Sequence, residues 1–96
     1  MSYFVYILAN KPHGAIYVGS ARNLRNRLKQ HQAGMPGSHT AKYNIKTLVY
    51  FECHDVALDA IHREHRLKRW KRAWKDRLIA EFNPAWEDMS HFIPFD

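Results

Sequence analysis

One stretch, residues 17–31, constrains the fold of this chain most, because its pattern changes from that of a strand to that of a helix. It reads Tyr-Val-Gly-Ser-Ala-Arg-Asn-Leu-Arg-Asn-Arg-Leu-Lys-Gln-His. Tyr17-Val18-Gly19 ends an apolar run, and Asn23 is a good N-cap because its side-chain oxygen can accept an orphan N–H of the next turn. Gly34 supplies a stop signal. We predict a strand followed by a helix over about residues 24–33.

The predicted helix carries a stripe that mixes apolar residues with a histidine. At ~100° per residue, three side chains lie within about 60° of one another: Leu24, Leu28 and His31. Arg27 lies at the edge of this stripe. We therefore expect Tyr17, Arg27 and His31 to meet in one cleft, and a tyrosine, a guanidinium and an imidazole suit phosphate chemistry.

Three apolar runs predict a small sheet. Tyr3–Ala9 and Ala15–Gly19 are separated by five residues with turn chemistry, 10–14, so they should form an antiparallel hairpin. Residues 34–44 show no period and are interpreted as a loop. Lys46–Glu52 alternates partly and is predicted to be the third strand.

A second helix is predicted after Asp55, which is placed to cap it. Four apolar residues fall on one side of this helix: Ala57, Ala60, Ile61 and Leu67. Glu64 lies in the middle of that side, within ~60° of each of them. Because a buried carboxylate costs several kcal/mol unless it is paired, protonated or bound to a cation, Glu64 is a candidate for chemistry.

A third helical segment is predicted over Lys68–Phe82, after a bend. Trp70, Trp74, Leu78 and Phe82 recur at four-residue intervals and are interpreted first of all as core. Asn83-Pro84 ends the segment, since the residue before proline avoids the α region. The tail, residues 85–96, should wrap back onto the domain. The resulting fold class is α/β (α+β), a three-stranded antiparallel sheet flanked by helices in the order β-β-α-β-α-α.

Charge and length limit the function classes. The 96 residues predict a single domain over 1–96, with 15 Lys and Arg against 9 Asp and Glu. Residues 1–51 contain no acid, and residues 63–77 contain eight basic residues against two acids. This balance is typical of proteins that bind polyphosphates, although a solvated basic face or anionic lipid would also account for it.

The sequence also suggests a compartment. An apolar run of ~18 residues and a signal peptide are both lacking, so we expect a cytoplasmic protein with no membrane partner. The lone Cys53 cannot form an internal disulfide and is interpreted as a half-buried thiol at a strand end, in a reducing compartment.

Together these residues resemble the GIY-YIG nuclease family. The resemblance rests on Phe4-Val5-Tyr6, Tyr17-Val18-Gly19, Arg27, His31 and Glu64, and it extends over nearly the whole chain through Lys42-Tyr43-Asn44, Leu48–Glu52, Leu67-Lys68, Trp70 and Phe82–Trp86. The chain looks most like small stand-alone bacterial members related to the N-terminal domain of the excinuclease C subunit. The first family signature, Gly-Ile-Tyr, keeps only its tyrosine here as Tyr6, because Phe4 and Val5 replace the Gly and Ile.

The resemblance implies a metal-dependent DNA endonuclease, in the setting of DNA repair, that hydrolyses phosphodiester bonds. Glu64 would hold one divalent ion, Mg²⁺ or Mn²⁺. Tyr6 or Tyr17 would deprotonate or position the attacking water, and Arg27 would contact the scissile phosphate. His31 matches a position that assists proton transfer or phosphate binding. A metal and a guanidinium suit this reaction because its transition state gathers negative charge.

Several basic residues and one exposed ring are expected to hold the DNA backbone: Arg22, Arg25, Lys42, Tyr43, Arg69, Lys71, Arg72 and Lys75. Because the chain offers no helix suited to reading the major groove, we expect low sequence specificity and a preference for single-stranded or branched DNA, with duplex also a candidate.

Three alternatives stay open at this point. A module of the same fold could bind nucleic acid without cutting it. Arg27 and Glu64 could form a structural salt bridge, which would explain the buried carboxylate without a metal. Tyr6 and Tyr17 could be core residues. A helical site formed by His62, Glu64 and His65 is excluded, because the histidines lie about 160° and 100° from the carboxylate.

Overall fold

An antiparallel sheet of three strands forms the centre of the protein. The computed structural model describes residues 2–34 and 42–94. The strands are β1 (Tyr3–Ala9), β2 (Ile16–Ala21) and β3 (Thr47–His54), with β1 in the middle of the order β2-β1-β3. The predicted fold class and element order are confirmed. The second strand runs two residues beyond its predicted end, and β3 likewise continues past Glu52.

The hairpin between β1 and β2 is closed by Asn10. Its side-chain oxygen accepts the N–H of Ala15 at 2.9 Å, and its own N–H donates to the Ala15 carbonyl at 3.1 Å. The N–H of Gly14 donates to the Lys11 carbonyl at 3.0 Å. The turn chemistry in the sequence therefore forms the predicted antiparallel connection.

The two faces of the sheet carry two separate cores. Because successive side chains of a strand point to opposite faces, alternate residues of β1 divide between them. One face buries Val5, Ile7, Ala9, Val18, Val49, Tyr50, Ala60, Leu67, Ile79 and Trp86. The other buries Phe4, Tyr6, Leu8, Leu24, Leu28, Ile45, Leu48 and Ile93. A register shift opposite Ile7 and Leu8 places Val49 and Tyr50 of β3 together on the first face.

The predicted first helix forms as α1 (Leu24–Gln32) and covers the second face. Asn23 is its N-cap, with the side-chain oxygen 3.0 Å from the N–H of Asn26. The predicted stripe of Leu24, Leu28 and His31 is buried. Gly34 follows the helix with a φ of +71°, a conformation that favours glycine and ends helices.

Helix α2 (Ala57–Arg69) covers the first face, but its start differs from the prediction. Val56 occupies the N-cap position without a side-chain hydrogen bond, so the predicted cap at Asp55 is wrong. Strand β3 continues through His54, which places Asp55 in the exposed turn before the helix. Cys53 is exposed rather than half-buried, because it lies in this extended end of β3.

The buried side of α2 is narrower than its apolar pattern indicates. Ala60 and Leu67 are buried against the sheet, whereas Ile61 is 42% exposed. The prediction of Ile61 as a core residue is therefore wrong. Only one line of the helix rests on the sheet, and Ile61 lies about 100° around the helix from Ala60.

Helix α3 (Arg72–Phe82) is separate from α2, as predicted, but the bend lies at Trp70 and Lys71. The predicted start at Lys68 is wrong, because α2 continues through Arg69. The four-residue series did not predict its core correctly, since Trp74 is 55% and Phe82 39% exposed while Ile79 is fully buried. The helix therefore rests on the sheet through Ile79 and its half-buried neighbour Leu78. Within the series, Trp70 and Leu78 are half-buried against this core and the Phe82 ring packs on Tyr50, so the docking of the helix left mainly Trp74 in solvent.

The C-terminal segment wraps back onto the domain, as predicted. Trp86 is buried on the first face and Ile93 on the second. Between them, the N–H of Met89 donates to the Leu48 carbonyl of β3 at 2.8 Å, and a short 3₁₀ turn (Ser90–Phe92) follows. Most of the predicted loop, residues 35–41, lies outside the described residues. Within the described part, no helix is long and apolar enough to cross a membrane.

Candidate active site

Three aromatic rings meet on the α1 face of the sheet. Tyr6 lies on the central strand, Tyr17 on the edge strand β2 and His31 in the last turns of α1. The Tyr6 hydroxyl lies 3.0 Å from Nε2 of His31 in a buried hydrogen bond. The ring centroids of Tyr17 and His31 are 5.4 Å apart, and those of Tyr6 and Tyr17 are 6.3 Å apart. The structure therefore brings Tyr17 and His31 together, as the sequence predicted, and adds Tyr6 to them.

Gly19 makes room for this cluster. It lies opposite Tyr6 in the β1–β2 pairing. A Cβ atom at this position would lie 2.6 Å from the Tyr6 hydroxyl oxygen and 2.9 Å from Cε2 of Tyr17. Since such contacts are shorter than carbon and oxygen tolerate, the rings can pack here only against a residue without a side chain.

Arg27 lies at the exposed side of the cluster and acts on two of its members. Burial is the main cause that raises the pKa of Tyr6, and Tyr17 adds to it, while the hydrogen bond and charge of Arg27 oppose the rise. Burial also lowers the pKa of His31, and Arg27 lowers it further. At neutral pH the site therefore holds a protonated phenol and a neutral imidazole beside a guanidinium.

Glu64 approaches from α2, at the β2 edge of the sheet. One carboxylate oxygen accepts a hydrogen bond from the Ser20 hydroxyl, and the other lies 2.6 Å from Nζ of Lys68. Burial by itself raises the pKa of Glu64, but the bonds from Lys68 and Ser20 outweigh it and lower the pKa below its usual value. The carboxylate, with 15% of its side chain exposed, is therefore ionised at neutral pH.

Lys68 connects the two halves of the site. Its Nζ atom, paired with Glu64, lies 5.9 Å from the centre of the Tyr17 ring. Tyr17 belongs to the α1 face and Glu64 to the α2 side, so Lys68 spans the edge formed by β2. The candidate active site thus wraps around this edge strand.

The donor set near Glu64 fits a hard divalent cation. The described residues contain no group of three or more His, Cys, Asp or Glu side chains arranged to hold a metal. Mg²⁺ is often held by one or two carboxylates, with water and substrate phosphate completing its shell. An ionised, partly exposed glutamate meets that requirement, whereas the described residues lack the cage of several ligands that a structural zinc ion needs.

The predicted alternative of an Arg27–Glu64 salt bridge is not what the structure contains. The ion pair of Glu64 is formed with Lys68. His62 and His65, on the same helix, are exposed.

The predicted DNA contacts divide into two groups. Arg22, Lys42, Tyr43, Arg69 and Lys71 are exposed. Within the fold, the Arg25 guanidinium donates to the Ile93 carbonyl, and that of Arg72 donates to Asp76 and to the Gly14 carbonyl. The Lys75 ammonium donates to the Lys68 carbonyl at 3.2 Å. These three cations therefore make hydrogen bonds that stabilise the fold itself.

Two residues of the site were not assigned from the sequence. Lys68 follows Glu64 by four positions, and the rule that side chains at i and i+4 meet on a helix was a signal for it. No local sequence pattern indicated Ser20, because its hydrogen bond to Glu64 depends on how α2 docks against β2.

The chain is similar to several known proteins. Residues 2–77 match the family model described as the GIY-YIG catalytic domain. UPF0213 proteins of Staphylococcus aureus strains Mu3 and Mu50 are 34% identical over 80 residues, which cover 83% of this chain and 96% of theirs. The solution NMR structure of the UPF0213 protein BH0048 from Bacillus halodurans superposes with a TM-score of 0.57 at 23% identity, over 99% of this chain and 100% of that chain, and shows the same fold. Since the family model covers most of the chain, this protein belongs to the GIY-YIG nuclease family.

Proposed function

We propose that this protein is an endonuclease that hydrolyses DNA phosphodiester bonds with a divalent metal ion, Mg²⁺ or Mn²⁺. Membership of a nuclease family supports the general activity. The observation that carries the proposal is the convergence at the β2 edge of Tyr6, Tyr17, His31 and Arg27 with an ionised Glu64. A packing cluster alone has no need of a carboxylate and a guanidinium at its rim.

Each side chain has a role that its surroundings permit. Glu64 would hold the metal, which supplies Lewis-acid stabilisation of charge on the phosphate when bound. Arg27, exposed beside the cluster, would bind the scissile phosphate, because a guanidinium matches phosphate oxygens in pairs. Burial and Arg27 lower the pKa of His31, so its imidazole is neutral at pH 7 and would accept the proton of the attacking water.

The two tyrosines have different roles in this proposal. Tyr17 is half-buried and would position the attacking water at the edge of the sheet. Tyr6 is fully buried and its pKa is raised, so it keeps its proton and acts as a positioning residue that holds His31. In the reaction, the water oxygen bonds to phosphorus, one P–O ester bond breaks, and a phosphate monoester and a hydroxyl are released.

The exposed residues Arg22, Lys42, Arg69 and Lys71 would neutralise backbone phosphates, and Tyr43, 46% exposed, would stack on an unpaired base. Such contacts favour single-stranded or branched DNA with little sequence preference. We also propose that the protein acts in DNA repair, as the resemblance to the N-terminal domain of the excinuclease C subunit implies.

The test is incubation of labelled single-stranded, duplex and flapped DNA with and without Mg²⁺ or Mn²⁺. We expect cleavage by the wild type that EDTA and Glu64→Ala both abolish. Arg66→Ala, which removes an exposed cation two residues further along α2, is the matched control and should retain cleavage. Cleavage that survives Glu64→Ala would falsify the assignment of the site.

The tyrosine roles need a separate test. Tyr6→Phe and Tyr17→Phe should each slow cleavage while the affinity for DNA stays within about twofold, because neither hydroxyl carries the binding energy. Loss of affinity or of folding, measured by anisotropy and circular dichroism, would show that these rings are core residues only.

One observation favours a second candidate, a module that binds nucleic acid without cutting it. Both carboxylate oxygens of Glu64 already have protein partners, Ser20 and Lys68, so the structure satisfies this residue without a metal. DNA binding without cleavage of any of the three substrates, in the presence of either ion, would establish this candidate.

A further inference from the structure

Beside α3, the exposed ring of Trp74 lies against the half-buried Trp70 of the preceding connection. Trp74 is 55% exposed, and its ring lies 6.0 Å from that of Trp70 in an edge-to-face arrangement. The two rings, with Arg77, Leu78 and Glu81, line an open groove of about 270 Å³. An indole offers a large flat apolar surface with a polar N–H at its edge.

The charges around the rings indicate the occupant. Lys71 is the exposed N-cap residue of α3, and its carbonyl accepts the Trp74 N–H at 3.0 Å, one turn before the ring. Arg77 lies one turn after Trp74, within about 60° of it on the helix. The one acid in the groove, Glu81, is paired with Arg77 through an exposed contact of 3.2 Å, which costs little to exchange. Over residues 63–77 the chain has eight basic residues against two acids. Two exposed cations, Lys71 and Arg77, therefore flank the Trp74 ring beside a groove that is otherwise mostly apolar.

The same surface is joined to the helix of the candidate metal ligand. Arg63, the residue before Glu64, lies with its guanidinium 5.1 Å from the centre of the Trp70 ring. Its Nε also donates to both oxygens of Glu52 on β3, at 3.1 and 3.2 Å. Trp70 is thus held in place on one side, while Trp74 presents its ring to solvent.

We propose that Trp74, supported by Trp70, is a stacking platform for an unpaired base of single-stranded nucleic acid, with Lys71 and Arg77 on the flanking phosphates. An aromatic ring between cations is the arrangement that binds single strands without reading their sequence, because every base has a face to stack. A duplex keeps its bases stacked inside and cannot use the ring. This inference rests on the proposed function and deepens it by naming the residue that would select single strands over duplex.

The test measures binding without cleavage. Anisotropy titrations in EDTA compare fluorescein-labelled dT20 with a 20-base-pair duplex, for wild type, Trp74→Ala, Trp74→Phe and the control Phe92→Ala, which removes another exposed ring, 59% exposed, from the 3₁₀ turn. Since stacking contributes about 1–3 kcal/mol per base, Trp74→Ala should weaken dT20 binding by about 5- to 150-fold. Duplex affinity should change less than about twofold, and Trp74→Phe should recover part of the loss.

A second readout follows the ring itself. Binding of dT20 should quench tryptophan fluorescence in the wild type, and most of this quenching should disappear in Trp74→Phe. Circular dichroism should show that each variant is folded, since Trp74 contributes little to the core. A dT20 affinity unchanged by Trp74→Ala, or an equal loss for dT20 and duplex, would overturn the proposal.

The outcome is separable from that of the proposed function. If Trp74 governs single-strand binding but no DNA is cleaved with Mg²⁺ or Mn²⁺, the platform stands and the nuclease assignment fails. If Glu64-dependent cleavage is found and Trp74→Ala binds dT20 as the wild type does, the nuclease stands and the platform fails.

Discussion

At the scale of single residues, the site depends on the space that Gly19 leaves for the Tyr6 ring. Gly19 lets the Tyr6 ring lie against β2, and Tyr6 in turn holds His31 by a buried hydrogen bond. Arg27 contributes charge to both of these groups from the exposed rim. A Cβ atom added at Gly19 would therefore disturb the Tyr6 ring and, through it, the His31 imidazole.

The Lys68–Glu64 ion pair predicts a competition between the protein's own ammonium group and a divalent cation. In Lys68→Met, Mn²⁺ should bind about two- to fivefold more tightly, because the cation no longer displaces a partly exposed ion pair. Electron paramagnetic resonance of free Mn²⁺ measures the dissociation constant directly.

The control for this prediction is Lys71→Met, which removes the same charge from an exposed position outside the Glu64 contacts. It should change the Mn²⁺ dissociation constant by less than about half the factor found for Lys68→Met. Glu64→Gln should abolish the tight site in both backgrounds. Equal effects of the two lysine substitutions would mean that Mn²⁺ affinity depends on the net charge of the protein and not on the Lys68–Glu64 ion pair.

The lowered pKa of His31 predicts a pH dependence of stability. The folded protein holds His31 neutral, because of burial and of Arg27, while the unfolded chain protonates it near its ordinary pKa of about 6.5. The free energy of unfolding should therefore fall as the pH drops below about 6.5, and level off below the folded pKa.

Urea titrations from pH 5 to 8 test this prediction in wild type and His31→Gln. The variant lacks the titrating ring, so its free energy of unfolding should fall less over this range. Parallel profiles for the two proteins would show that His31 titrates alike in both states.

At the scale of elements, the connection after α3 is fixed by a buried amide. Asn83 donates to the Val49 carbonyl at 3.1 Å and to the Glu87 carbonyl at 2.8 Å, and its oxygen accepts the Glu87 N–H at 3.2 Å. Val49 lies at the register shift of β3, where its carbonyl is not paired with Leu8 in the regular way. The amide therefore joins the end of a helix, an irregular strand and the C-terminal segment.

Asn83→Ala should lower the free energy of unfolding by about 1–3 kcal/mol, because it leaves a buried carbonyl without its donor. Urea denaturation followed by circular dichroism measures the loss. The control is Asn26→Ala, an exposed change in α1 that keeps the backbone bond to Asn23. Similar stabilities of the two variants would contradict the role assigned to Asn83.

The elements were predicted well wherever the sequence pattern is local. The hairpin, the Asn23 cap and the stripe of α1 depend on neighbours within a few positions, and all three are confirmed. The Asp55 cap and the core role of Trp74 were wrong, because the end of β3 and the rotation of α3 are decided by docking. Periodicity identifies a helical face, but it does not say which face meets the sheet.

At the scale of the whole molecule, the C-terminal segment joins two cores that the sheet separates. Trp86 is 3% exposed among the residues under α2 and α3, and its ring lies 4.8 Å from that of His13 in the hairpin. Ile93 is buried on the opposite face, beside α1. The segment passes from one face to the other along the edge of β3.

Trp86→Ala should destabilise the protein by about 3–5 kcal/mol, since it empties a well-packed core position, and Ile93→Val by about 0.5–1.5 kcal/mol. Because one segment links both cores, fluorescence and far-ultraviolet circular dichroism should report the same unfolding midpoint in the wild type and in Ile93→Val. Two separate midpoints would show that the faces unfold independently.

The sequence by itself determined the family, the order of strands and helices, and which residue types are available for phosphate chemistry. It did so because the strand-to-helix pattern of residues 17–31, its cap and its stop are local, and because the motif residues are recognisable in order. Only the tertiary structure decided that Lys68 pairs with Glu64, that Ser20 completes the contact, and that Trp74 faces solvent. These outcomes depend on how α2 and α3 dock on the sheet, and docking is set by packing between residues far apart in the chain.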